Sequence, residues 1–354
     1  MPEWLREKLD RLADAIGAFE WPVNVKMPVV IAASLIVISA AVLTGCFLAG
    51  SSVKTNPEHI MYVRIEPGMT SSSIGRMLED KKIIGSRHYF WMMSKLKGAD
   101  NKYKTGVYRF YPGMQSEEVI KILVEGLTST VKFTIPEGYN VNQIAERLEE
   151  EGIAKAAEIK QAAKDFAPYT YMQYNQNAIY RAEGFLFPDT FELEEELSAK
   201  EILDLMARDF DTRLTPAHRA RAKEMNLSIY ELVTLASLVE KEAKYDEDRP
   251  IIAQVFIKRL KMDMPLQSDT TIQYLLDAPK EDVTYADTEI QSPYNTYQHY
   301  GLPPGPIASP GMDAIEAVLH PADTDYLYFV ADRQGHNHFT RTYDEHLAVV
   351  ERVR

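Results

Sequence analysis

The sequence predicts an α+β protein: one membrane-spanning helix, then a small strand–turn–helix module, then a larger and mainly helical unit. Three observations carry this reading. Residues 28–50 form an apolar run without a single charge. A short alternating strand, a Pro/Gly turn and an amphipathic helix then recur in related form. Beyond residue 154 helical periodicity dominates, until a loop rich in proline, glycine and tyrosine and a last strand close the chain.

Composition narrows the function classes. A chain of 354 residues is long enough for two or three domains, each with its own core. The formal net charge of −13 leaves no basic excess to neutralise phosphates. A general binder of nucleic acid or anionic lipid is therefore excluded, whereas a neutral or zwitterionic sugar polymer is not. Cys46 is the single cysteine, so no disulfide forms within the chain.

The run 28–50, PVVIAASLIVISAAVLTGCFLAG, is long enough as a helix (about 1.5 Å per residue) to cross a hydrocarbon core of about 30 Å. Residues 1–27 hold Arg6, Lys8, Arg11 and Lys26, while Lys54 is the one base close behind the run. The positive-inside rule then puts residues 1–27 in the cytoplasm as a tail and everything after about residue 51 outside. The stretch LTGC at 43–46 also resembles a lipoprotein signal. The long, acidic segment before it and the apolar residues after Cys46 count against that alternative.

Three strand–turn–helix units follow: VRIEPGMTSSSIGRMLEDKKII (63–84), VYRFYPGMQSEEVIKILVEGL (107–127) and a looser KFTIPEGYNVNQIAERLEEEGI (132–153). Thr70 or Ser71, Ser116 and Asn140 are the expected N-caps. Ile74, Met77 and Leu78, then Val119, Ile122 and Leu123, then Ile144, Ala145 and Leu148, make the apolar stripes. The repetition fits either a common structural unit or a small glycan-binding module. Residues 154–228 read as mostly helical, and the tyrosines of FAPYTYMQYNQNAIY (166–180) read as core. A helix from 229, a second over 250–260, a loop over 261–276, the strand 325–331 and a helix over 344–353 complete the reading.

The chemistry centres on ASLVEKEA (236–243). On a helical wheel Ile229, Leu232, Leu235, Ala236, Val239 and Ala243 form an apolar stripe, with Tyr230, Thr234 and Lys241 facing water. Glu240 and Glu242 fall about 200° apart at about 100° per residue, on opposite margins of that stripe. Either can be half-buried, which raises a carboxyl toward the range of a general acid. The two cannot flank one scissile bond, so this is not a glycosidase pair made from neighbours. Periodicity does not choose between them, and a solvated or salt-bridged helix end remains open for both.

ASLVEKEA (236–243), LQSDTTIQY (266–274), YNTYQHYGLPPGPIASPG (294–311) and YLYFVA (326–331) occur in this order in the YceG-like endolytic murein transglycosylases, which the chain resembles over about residues 57–350. EGFLFPDTFEL (183–193) is similar to theirs too. The resemblance implies a LysM-like module over 57–130 and a YceG-like catalytic domain over 131–350. It implies cleavage inside nascent peptidoglycan between N-acetylmuramic acid and N-acetylglucosamine, leaving a 1,6-anhydro end, with Glu242 as the catalytic residue. It further implies substrate contact by Gln267, Asp269 and Thr270 of the LQ-x-D-x-T loop and by Tyr294, Asn295, Thr296 and Tyr297 of the YNTY loop. A cell-wall synthase is an implied partner. Glu240 is read as structural. Where the family carries a histidine two residues before a late phenylalanine this chain has Asn337, between His336 and His338. No acid or cysteine cluster accompanies these histidines, and no metal or cofactor is expected. Two rivals stay open: a non-catalytic peptidoglycan-binding scaffold, and a hydrolase using Asp246 or Asp269 as second carboxyl.

Overall fold

The computed structural model describes residues 31–38, 53–172, 177–276, 278, 280 and 282–353. Of the predicted membrane run, residues 31–38 are helical, with Ile31, Leu35, Ile36, Val37 and Ile38 exposed. The rest of that run, the tail 1–27 and Cys46 lie outside the described residues. No helix among the described residues is long and apolar enough to cross a membrane. The chain divides into two compact units between Ser129 and Thr130.

In the first unit, β1 (Met61–Ile65) pairs antiparallel with β2 (Gly106–Phe110), Val63 opposite Tyr108. Three helices share a core with this strand pair, two of them in its connection: α1 (Ser71–Asp80), α2 (Arg87–Leu96) and α3 (Ser116–Glu125). Ile74, Leu78, Val119 and Leu123 from the expected stripes join Val63, Ile65, Phe90, Tyr108 and Phe110 in one core. Each such side chain contributes roughly 1.5–3 kcal/mol by leaving water. Thr70 caps α1 through a capping box with Ser73. Ser116 is not a cap: Gln115 takes that position without a side-chain bond, and Ser116 is the first helical residue. Helix α2 has no counterpart in the sequence reading.

The third strand–turn–helix unit belongs to the other core. Its strand β3 (Thr130–Thr134) pairs antiparallel with β4 (Thr190–Glu194), so the segment 183–193 ends in a strand. Asn140 caps α4 (Val141–Glu150) through a box with Gln143. Helices α5 (Ala156–Asp165), α6 (Ala199–Arg213) and α7 (Pro216–Glu224) follow. Phe166 and Tyr180 of the aromatic segment are buried, and Tyr169 stacks on Tyr171 at 5.3 Å beside the same core.

Helix α8 (Ile229–Glu242) is central and packs against α9 (Arg249–Lys261), α10 (Asp269–Leu275) and α11 (Met312–Leu319). The expected loop 261–276 thus contains the helix α10. The wheel also misplaced two residues: Tyr230 and Thr234 are buried, not wet. The Pro/Gly segment lies against their face. Tyr230 donates to the Pro304 carbonyl at 3.1 Å, and Ser237 Oγ accepts from Ile307 N at 3.1 Å. Glycine is needed at 305, where a Cβ would meet the Tyr230 hydroxyl at 2.5 Å. A hairpin of β5 (Tyr328–Ala331) and β6 (Asn337–Thr340) and helix α12 (Tyr343–Val353) end the chain.

Candidate active site

The last turn of α8 sends three consecutive residues in three directions. Glu240 is nearly buried. Its Oε1 faces Arg249 Nη2 at 3.4 Å, and its Oε2 accepts from Gly311 N at 3.1 Å, at the N-terminus of α11. That helix end favours a negative charge. Arg249 also pairs with Asp246. Lys241 is exposed and donates to the Gly138 carbonyl at 3.3 Å.

Glu242 turns the other way. Its Oε1 accepts from Ser268 Oγ at 2.5 Å and from Thr270 Oγ1 at 3.3 Å, and the two hydroxyls are themselves 2.6 Å apart. Burial of the carboxyl raises it to about 7. The charge of Asp269 adds to that rise, while the bonds from Ser268 and Thr270 oppose it. Near neutral pH such a group both gives and takes a proton, which is what a combined general acid and base requires.

The loop that carries Ser268 is pinned from two sides. Gln267, exposed, adopts a left-handed φ of 48°, which costs a non-glycine residue about 1–2 kcal/mol. That turn is held because Gln267 N donates to the Thr296 carbonyl at 3.1 Å and Ser268 N to Thr296 Oγ1 at 3.0 Å. Thr271 and Thr296 hydroxyls meet at 3.0 Å beneath it. On the other side Arg259 Nη1 donates to the Leu266 carbonyl at 2.7 Å.

The eight expected site residues therefore separate into two groups. Glu242, Gln267, Asp269, Thr270 and Tyr297 line the partly open side, where the Tyr297 hydroxyl donates to Asp269. Tyr294, Asn295 and Thr296 are buried. Asn295 Nδ2 donates to the Thr288 and Ile290 carbonyls, both at 2.8 Å, and Tyr294 packs on Tyr274 with ring centres 5.2 Å apart. These three brace the loop from inside and offer no stacking face for a sugar. Asn337, at the departed histidine position, donates through Nδ2 to Asp248 at 3.0 Å and so ties β6 to the start of α9. His338 Nε2 lies 3.2 Å from Asp332. Among the described residues no group of three or more His, Cys, Asp or Glu side chains is placed to hold a metal ion.

Two residues around Glu242 and one buried acid elsewhere in the same core escaped the sequence reading. Ser268 lies inside the quoted LQSDTT stretch, its hydroxyl being the closest partner of Glu242. Arg259 looks like an ordinary basic helix end. Glu183, fully buried, accepts from the Tyr274 hydroxyl at 2.8 Å and from Val141 N at 3.0 Å.

Residues 63–352 match the YceG-like family. The chain belongs to the YceG-like family. A relative from Bacillus subtilis (strain 168), named an endolytic murein transglycosylase, is 36% identical over 322 residues, spanning 86% of this chain and 89% of that protein. A relative of the same name from Streptococcus pneumoniae serotype 2 (strain D39 / NCTC 7466) is 34% identical over 323 residues; the match spans 83% of this chain and 58% of the longer pneumococcal protein. The crystal structure of a yceG-like protein from Listeria monocytogenes has 34% sequence identity and a TM-score of 0.58, covering 82% of this chain and 99% of that one. The family match takes in the last turn of α8, the Ser268 loop and the Pro/Gly segment, so the arrangement around Glu242 lies wholly inside it.

Proposed function

We propose that this protein is a lytic transglycosylase that cuts inside peptidoglycan strands with Glu242 as its single acid and base. The observation that carries this reading is the Glu242 carboxyl, raised to about 7 and held by the Ser268 and Thr270 hydroxyls. The names of the curated relatives support the same activity. Starting protonated, Glu242 gives its proton to the glycosidic oxygen as the bond to C1 of N-acetylmuramic acid breaks. The C6 hydroxyl of that same sugar attacks C1, and its proton passes to the Glu242 carboxylate. The enzyme returns to its starting state, and the strand ends in a 1,6-anhydro ring. No water is consumed, so no second carboxyl is needed, in contrast to the two-carboxylate hydrolases.

Gln267, Asp269, Thr270 and Tyr297 are the residues we assign to sugar contact, since they border the open side of the carboxyl. Tyr294, Asn295 and Thr296 act through the loop they brace. The run 28–50 would anchor the chain in the cytoplasmic membrane, with residues 1–27 inside and both units outside, close to newly made strands. The LysM-like module 57–130 would hold glycan, and a peptidoglycan synthase would be a partner whose product is cut, setting strand length. The charge-free run and the net charge of −13 support this location and ligand, and no nucleic-acid role.

The test is mass spectrometry of uncrosslinked glycan strands treated with the detergent-solubilised full chain, wild type beside Glu242→Gln. Internal cuts ending in 1,6-anhydro sugars, absent with the variant, are expected. Cleavage that survives in Glu242→Gln would remove Glu242 from the chemistry. Strands bound but uncut by the wild type would make the protein a scaffold.

A further inference from the structure

Arg259 is a buried cation that the mechanism above does not use. It is 7% exposed, and among the described residues no carboxylate lies within ion-pair distance of it. Its guanidinium spends its hydrogen bonds on carbonyls instead: Nε donates to Leu327 at 2.8 Å, and Nη1 to Leu266 at 2.7 Å and Pro265 at 3.4 Å. The ring of Tyr328 lies 5.0 Å from its Cζ. A desolvated, unpaired charge is expensive to keep. Structural bracing of three carbonyls does not by itself require a permanent positive charge.

The position of that charge suggests its use. The carbonyls of Pro265 and Leu266 directly precede Gln267 and Ser268, the turn that presents its hydroxyl to Glu242 at 2.5 Å. Arg259 also feels the Glu242 carboxylate through space, as well as the Tyr328 and Tyr297 hydroxyls. Asp269 from α10 opposes ionisation of Glu242, while the Glu242 carboxylate and the Arg259 charge on α9 favour one another through space. On the helix of Glu242 itself, Lys241 is directed to Gly138, and Lys244 just beyond to Gln334.

We propose that Arg259 is a positioning residue for the cleavage: it fixes the 265–268 turn that carries the Ser268 hydroxyl, and its charge stabilises the Glu242 carboxylate formed when the leaving oxygen takes the proton. The inference rests on Glu242 being the acid. Asp269 keeps the carboxyl protonated before reaction, and Arg259 limits the cost of losing that proton.

The experiment is the pH dependence of strand cleavage by the full chain for wild type, Arg259→Lys, Arg259→Gln and Arg259→Met, with Glu242→Gln alongside. Activity of a general acid is lost as pH rises through its pKa. Removing the nearby positive charge moves that alkaline limb upward, by roughly half a pH unit to one unit. We expect this in the neutral variants, together with a fall in kcat of about tenfold. Arg259→Lys keeps the charge but not the fork, so kcat falls while the limb stays in place. The Met variant keeps an apolar stem and serves if the Gln variant does not fold. A folded neutral variant with an unmoved limb, or an equal shift in Arg259→Lys, overturns the role of the charge. Cleavage by Glu242→Gln would instead overturn the reading of the site.

Discussion

Replacing Glu183 by glutamine should make the protein less stable in acid and more stable in base. Glu183 is 1% exposed, and burial pushes its carboxyl up to about 8, with the bonds from Tyr274, Val141 and Gly184 opposing only part of that rise. The folded chain therefore keeps a proton that the unfolded chain releases near its ordinary value of 4.5. Stability from this group is full below about pH 4.5 and is lost as pH rises toward about 8, because the folded state binds more protons throughout that window. A shift from 4.5 to about 8, at about 1.4 kcal/mol per unit, makes that loss roughly 5 kcal/mol. Glutamine removes the titration. Its carbonyl still accepts from Val141 N, and its amide faces the Tyr274 hydroxyl, which can rotate to accept; this rearrangement costs about 1–2 kcal/mol. Chemical unfolding at constant ionic strength should show the variant weaker by about 1–2 kcal/mol near pH 4 and stronger by about 3 kcal/mol near pH 9, the curves crossing between about pH 5 and 6. Glu137 and Glu242 are also raised, but both are present in each protein and cancel from the difference. A difference that stays constant from about pH 5 to 9 would refute the argument that Glu183 is buried with its proton.

Three further substitutions separate the functions of neighbouring residues. Ser268→Ala removes the donor closest to Glu242; a bond that favours the charged form by about 1 kcal/mol over the neutral one is worth about 0.7 pH unit, so the alkaline limb of cleavage should move up from about 7 by that amount, read from kcat/KM against pH. Glu240→Gln should leave strand cleavage within a few-fold of wild type but lower stability by about 2–4 kcal/mol in thermal or chemical unfolding, since among the described residues Arg249 then keeps the exposed Asp246 alone within ion-pair distance. Gly311→Ala should cost at most about 1 kcal/mol in the same assay, because its Cβ would meet Glu137 Oε1 at 2.0 Å, the far end of an exposed, flexible side chain that can swing outward.

Where a residue faces one neighbour, its place was legible in the sequence; where it faces two, it was not. The stripes of α1, α3 and α4 each bury a single side, and period alone located Ile74, Val119 and Ile144 in cores. Helix α8 is different. A wheel assigns Tyr230 and Thr234 to water because it cannot anticipate that the segment 301–311, far along the chain, covers the polar face. Helix α10 hid for a related reason: it has only seven residues, too few for a periodic signal, and its start follows the left-handed turn at Gln267 rather than a side-chain cap. In the YNTY loop, burial of Tyr294, Asn295 and Thr296 was not legible, whereas Tyr297 stays on the partly open side. Tyrosine, asparagine and threonine are common on sugar-binding surfaces, but here Asn295 satisfies buried carbonyls, Thr296 meets the Thr271 hydroxyl, and the Tyr294 hydroxyl accepts from Ile179 N.

The two glutamates show what the helix wheel could decide. It placed them on opposite margins, and they do turn to different partners: Glu240 to Arg249 and the start of α11, Glu242 to the hydroxyls of the Ser268 loop. It could not say which margin held the chemistry, since that depends on loops from elsewhere in the chain. The same geometry bears on the hydrolytic alternative. Asp246 pairs with Arg249, on the Glu240 side, and is poorly placed to assist Glu242. Asp269 does face Glu242, so it is the one carboxylate of the two whose role an experiment must decide. If Asp269 only tunes Glu242, Asp269→Asn removes a neighbouring negative charge and lowers the Glu242 pKa below about 7. Cleavage at neutral pH then drops, yet recovers as the pH is lowered by about one unit, and products still carry anhydro ends. If Asp269 instead activates water, the variant is inactive at every pH and wild-type products end in reducing sugars. Recovery in acid separates the two, because a tuning charge can be replaced by protons from solution and a general base cannot.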